Sequence, residues 1–197
     1  MEHPAAFQVI RVIQHEHQSL AAVIKGMRHF VRVIAEGGKA PDLKVFRAML
    51  LYISEYPEQV HHPKEDMYLF APLRKRTNEV EITITTLEAQ HQLGEQQLRD
   101  LSLALMRYEF FGDEAFKSFH DKVEAYASQY FEHMTLEEKI ILPAAQQSFT
   151  EQDWQAAAAA FSSNADPLAD IHNESLEKLF TLICRITPAP LGLGEPV

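Results

Sequence analysis

The sequence predicts an all-α protein, an up-down-up-down four-helix bundle with additional C-terminal helices packed against it. Three observations carry that expectation. Apolar residues recur at alternating steps of three and four through most of the 197 residues, the spacing of a buried helical stripe. Only 7 glycines are present, and no stretch alternates as a half-buried strand would. The periodic stretches are long and the connections short, so successive helices are expected to be antiparallel neighbours.

The first helix is expected from about Ala5 to Glu36, stopping at Gly37-Gly38. The second follows Pro41-Asp42, with Asp42 as N-cap, and runs to about Lys75, bent at Pro57 and Pro63. The third opens at Asn78 with a capping box, Asn78 and Glu81, and runs to about Tyr108. After the turn "FFGDE", Asp113 caps a fourth helix reaching about Gln147 and bent near Pro143. Thr150 to Asp153 open a short helix containing "WQAAAAAF", held to the bundle by Trp154 and Phe161. A last helix starts at Asp166-Pro167 and ends before Thr187-Pro188. The expected organisation is one domain: a bundle over 1–148, a helical extension over 149–187 and a flexible tail over 188–197.

A formal charge of −10 argues against nucleic-acid or anionic-membrane partners, which need clustered cations. No apolar run reaches the roughly 18 residues of a membrane span. The N-terminus lacks the basic region and apolar run of a signal peptide, so a cytoplasmic protein is expected. The single Cys184 excludes an internal disulfide and a cysteine-based metal cluster, and it reads as a small core residue. No phosphate-binding glycine loop and no serine or cysteine nucleophile motif is present. The compositional oddity is the ten histidines.

Their positions on the core stripes are informative. The first helix reads Ile10, Ile13, His17, Leu20, Ile24, Met27, Val31, Ile34. The second reads Phe46, Leu50, Ile53, Pro57, His61, Glu65, Tyr68, with its phase loosened by the prolines. The third reads Val80, Ile84, Leu87, His91, Gly94, Leu98, Leu101, Leu105. The fourth reads Phe116, Phe119, Val123, Tyr126, Tyr130, His133, Glu137, Ile140. A lone inward histidine is ordinarily a hydrogen-bonded core residue. One on each of four helices would need four partners that these stripes do not supply.

The carboxylates sharpen the case. His61 with Glu65, and His133 with Glu137, are spaced i, i+4 and share a helix face; His91 and Glu95 repeat the spacing at the stripe edge. Buried carboxylates are costly unless paired or bound to metal. Imidazole and carboxylate donors without thiolate suit iron, manganese or zinc. Six donors exceed the need of one tetrahedral zinc, whereas two ions bridged by Glu65 and Glu137 would use them all. His62 is one residue off the expected ligand and is read as a supporting or surface residue, with the bend at Pro63 able to exchange it for His61. Tyr130 stands one turn before His133, within reach of a metal-bound species, although core packing is its plainer role. His172 is read as a packing or capping residue, and His3, His29 and His120 as surface residues.

The segments "EHQSLAAVI", "YPEQVHHPKEDMYLF", "LEAQHQLGEQQL" and "EHMTLEEKIILP" resemble, in order, those of the hemerythrin-like or HHE cation-binding family. The later "FTEQDWQAAAAAFSSNADPL" is similar to the tail of bacterial single-domain members. The resemblance implies a four-helix bundle holding two oxo- or hydroxo-bridged iron ions. Its ligands would be His17, His61, Glu65, His91, His133 and Glu137, with Glu138 the alternative to Glu137. Oxygen-carrying members pair two histidines on the third helix, where this chain has His91 and then Glu95. That departure, a harder and more anionic site, moves the expectation from oxygen carriage towards sensing or stress response to oxygen, nitric oxide or peroxide. The alternatives are an oxidoreductase consuming peroxide or nitric oxide and an iron-storing or structural metal bundle. The expected partner is a small diatomic or peroxide ligand, and the expected assembly a monomer or homodimer.

Overall fold

The computed structural model describes residues 4–162, 167–189 and 191–194, and within the helices all side chains except those of 162 and 167–174. His3 therefore lies outside the described residues and His172 outside the described side chains. The chain is all-α: among the described residues there is no strand, only an isolated bridge between Pro188 and Gly194.

Helix α1 spans Pro4–Ala35 and ends where Gly37 takes φ 83°, so that Gly37 and Gly38 donate to the carbonyls of Ile34 and Val33. The second long helix is broken into α2 (Leu43–Glu55), a π-helical turn (Pro57–His61), α3 (His62–Glu65), a second π turn (Asp66–Phe70) and α4 (Ala71–Arg76). Asp42 caps α2, accepting from the Lys44 amide at 2.9 Å. Helix α5 spans Glu81–Phe111, and α6 spans Asp113–Leu136. A third π turn (Glu137–Ile141) leads into α7 (Leu142–Ser148), followed by α8 (Glu151–Ser162) and α9 (Pro167–Ile186).

Two expected caps are corrected. Asn78 and Glu81 form no capping box: Glu81 is the first residue of α5, its carboxylate receives Arg74, and Thr77 Oγ1 accepts from the Glu79 amide. Asp113 lies inside the first turn of α6, and the residue before it, Gly112 at φ 63°, makes the corner. The Thr150/Asp153 start of α8 does form reciprocally, with Thr150 N donating to Asp153 Oδ2 and Asp153 N to Thr150 Oγ1. Residues 188, 189 and 191–194, part of the expected flexible tail, turn back on α9, with Leu193 N donating to Cys184 O at 2.8 Å.

Helix α5 packs along α6, α1 packs on α6 and α8, and α2 packs on α5 and α9. The apolar interior has two parts. One contains Leu20, Ile24, Phe46, Ile53, Leu101, Phe119 and Val123; the other contains Val9, Ile13, Leu69, Phe70, Ile84, Leu87, Ile141 and Trp154. Each fully buried aliphatic or aromatic side chain contributes roughly 1.5–3 kcal/mol. The inward histidines lie between these parts: His17 falls between Ile13 and Leu20 on α1, and His91 between Leu87 and Leu98 on α5.

Candidate metal centre

His17, His61, His91 and His133, one from each long helical stretch, are buried together with Glu65 and Glu137, which are both 0% exposed. These six come from the core stripes. A seventh, His62, is also buried: it is not a surface residue, and it is not exchanged for His61. The π turn Pro57–His61 allows both to face inward, because its wider winding closes the bond from His62 N to Pro57 O and two successive residues reach the interior.

The donor atoms fall into two groups, each within 4.8 Å of one another: His17, His61, Glu65 and Glu137, and His62, Glu65, His91 and His133. Glu65 belongs to both. Its Oε1 faces His61 Nε2 at 3.3 Å and His17 Nε2 at 3.8 Å, while Oε2 faces His91 Nε2 at 3.8 Å. Glu137 mirrors it, with Oε2 at 3.3 Å from His17 Nε2 and Oε1 at 3.1 Å from His133 Nε2. Each carboxylate thus turns one oxygen to each side of the centre.

The surrounding shell makes the imidazoles point this way. His17 Nδ1 bonds Glu138 Oε1, His61 Nδ1 bonds Glu16 Oε2, His91 Nδ1 bonds Asp66 Oδ1 and His133 Nδ1 bonds Gln90 Oε1, all at 2.8 Å. The four contacts close a ring around the bundle. The residue beside a donor on one helix holds the histidine of the next: Glu16 of α1 serves the second stretch, Asp66 of that stretch serves α5, Gln90 of α5 serves α6, and Glu138 beyond α6 returns to α1. With Nδ1–H donating outward, each Nε2 is aimed at the interior.

That arrangement leaves polar atoms without partners. All four oxygens of Glu65 and Glu137, and His17 Nε2, are buried with no hydrogen bond. His91 Nε2 and His133 Nε2 stand 3.1 Å apart although both Nδ1 atoms already face acceptors. Orphaned buried carboxylates cost several kcal/mol unless compensated, and a cation between the groups satisfies every one of these atoms. The residues present therefore fit a pair of metal ions.

The buried charges shift one another's protonation. Burial, reinforced by the charge of Glu137, pushes the Glu65 carboxyl well above the usual range. Burial also opposes ionisation of Glu137, yet His133 and His17 beside it hold its carboxyl well below the usual range. Burial would depress His17, but Glu137 and Glu65 outweigh it and the imidazole is pushed up to about 11. Burial, then the charge of His91, holds His62 well below its ordinary value.

The remaining candidates separate clearly. Glu138 is 39% exposed and reaches the centre through His17. Glu95 is 61% exposed and pairs with Arg99, so the i, i+4 spacing to His91 does not bring it in. Tyr130 is buried with its hydroxyl 3.3 Å from His62 Nε2. Asp66 is 43% exposed and orients His91 through its 2.8 Å contact to Nδ1. The partners Glu16, Asp66 and Gln90 were not expected from sequence; their one signal is that each adjoins a core-stripe donor.

Neither the comparison with curated proteins nor that with solved structures gave a match. The family model of the hemerythrin HHE cation-binding domain matches residues 35–145. That span covers more than half of the chain and, apart from His17, every donor of the two groups. The chain belongs to the hemerythrin HHE cation-binding domain family.

Proposed function

We propose that this chain holds two iron ions, with Glu65 and Glu137 as bridges, and uses them to bind oxygen, nitric oxide or peroxide in sensing or stress response. The observation that carries this reading is the division of each carboxylate: one oxygen faces the His17/His61 side and the other the His91/His133 side. On this reading His17 and His61 hold one ion, while His91 and His133, joined by His62, hold the other. Bound iron supplies a redox-active Lewis acid for a small ligand. Manganese or zinc would satisfy the same donors.

The protein's own contribution is orientation and enclosure. The ring of Glu16, Asp66, Gln90 and Glu138 fixes the imidazoles, and the two apolar parts of the interior exclude water from both ends of the centre. Beside it lies a cavity of about 20 Å³, lined by residues that include Glu58, His91, Gln97, Tyr130 and His133. That is room for one water-sized molecule, which suits a small diatomic ligand. We place the protein in the cytoplasm with a small-molecule partner; its formal net charge is −10, and among the described residues no helix is long and apolar enough to cross a membrane.

One observation favours the oxidoreductase alternative. The rings of His61, Tyr56, Tyr52 and Phe180 follow one another at 6.3, 5.7 and 5.5 Å. Tyr56, Tyr52 and Phe180 all line a surface groove of about 970 Å³, so one aromatic ring separates His61 from the surface. The experiment that tests the function is optical spectroscopy of iron-loaded protein with nitric oxide and with peroxide. Ligand-dependent bands support binding or sensing, sustained consumption with an added reductant supports the enzyme, and a spectrum indifferent to both ligands contradicts the two readings.

A further inference from the structure

Four of the five imidazoles at the centre are aimed by the closed ring of partners; His62 stands outside it. Its ring stacks on that of His91, with centroids 4.0 Å apart and planes 13° apart, and lies 5.4 Å from that of His133. Its Nδ1 is buried and has no hydrogen bond. The carboxylate facing that nitrogen is Glu58, one helical turn earlier, with Oε2 at 3.7 Å and a side chain only 5% exposed.

Glu58 occupies this place because position 94 carries no side chain. A Cβ on Gly94 would overlap both carboxylate oxygens of Glu58. Gly94 sits in the interior of α5 with no positive φ, so its backbone conformation does not demand glycine. Glycine in a helix interior costs about 1 kcal/mol relative to alanine, and a buried carboxylate costs more. Two destabilising features on neighbouring helices thus meet at one nitrogen. The other four histidines show what an oxygen at Nδ1 does here: it turns Nε2 towards the shared carboxylates.

We propose that Glu58, seated in the notch left by Gly94, is the positioning residue that orients His62 as a nitrogen ligand of the ion held with Glu65, His91 and His133. This inference rests on the two-ion reading above.

Metal titration of the wild type, Glu58→Leu, Glu58→Gln and Gly94→Ala tests it, with the average number of histidines per iron read by X-ray absorption and helical content by circular dichroism. Glu58→Leu removes the carboxylate and its oxygens, with circular dichroism verifying that the variant is helical, and Gly94→Ala displaces Glu58 without deleting it. Glu58→Leu and Gly94→Ala should both retain the first ion, bind the second at least about tenfold more weakly and show fewer histidines per iron. Glu58→Gln, which keeps an acceptor oxygen, should stay close to wild type. Two ions at wild-type affinity in Glu58→Leu and Gly94→Ala would overturn the proposal, as would equal losses in Glu58→Gln and Glu58→Leu. A wild-type chain that itself takes up fewer than two ions would overturn the two-ion reading instead.

Discussion

Glu65 and Glu137 are the residues on which the account turns, since an apolar interior tolerates neither without a counter-ion. Glu65→Leu should therefore act in opposite directions on two measurements. Metal content should fall from two ions to below one, while urea denaturation of the metal-free protein should show a gain of about 1–3 kcal/mol from removing an unsatisfied buried group. A second residue-scale prediction concerns pH. His17 in the metal-free protein is pushed up to about 11, and Glu65 is also raised. For both groups the folded pKa exceeds the unfolded one, so the metal-free fold is most stable below the unfolded values and loses stability as pH rises through the folded ones. Metal must displace these protons. Metal affinity should thus increase with pH, and calorimetry in buffers of different ionisation enthalpy should detect proton release near neutrality. The inward direction of His17, His61, His91 and His133 was legible in the sequence because each interrupts an otherwise apolar stripe. Their partners Glu16, Asp66 and Gln90 were not, because a helical stripe says nothing about which polar neighbour crosses to the next helix.

At the scale of elements, the π turns explain where the stripe reading fails. Counting at 3.6 residues per turn placed Ile140 in the core, but the turn Glu137–Ile141 adds a residue, leaving Ile140 37% exposed and Ile141 fully buried. The turn Pro57–His61 has the larger consequence, since it brings His62 inward beside His61. Prolines at 57 and 63 announced an irregular helix, whereas its winding depended on contacts that sequence does not display. Deleting the exposed Gln59 should restore regular helix and rotate the donors out of register. The deletion variant should keep most of its helical circular dichroism and lose both ions. Helix α8 rests on an ordinary packing argument. Trp154 is fully buried against Phe149, with ring centroids 4.9 Å apart, as part of the apolar cluster that α1, α5 and α7 also build. Trp154→Ala should cost about 3–5 kcal/mol in urea denaturation.

For the whole molecule, the two apolar parts of the interior stabilise the bundle, and the polar layer between them trades some of that stability for a place to bind cations. Helical content and the main helices were accessible from periodicity alone, because stripe spacing and turn residues act locally. The division of donors into two groups was less accessible, since it depends on the relative depth of four helices. Metal content of the purified chain, measured with the helical fold verified on the same sample, tests this layer most directly. The account predicts two metal ions per folded chain, both lost when Glu65 and Glu137 are replaced together. A folded chain that takes up no stoichiometric metal, or one that keeps two ions without those carboxylates, would contradict it.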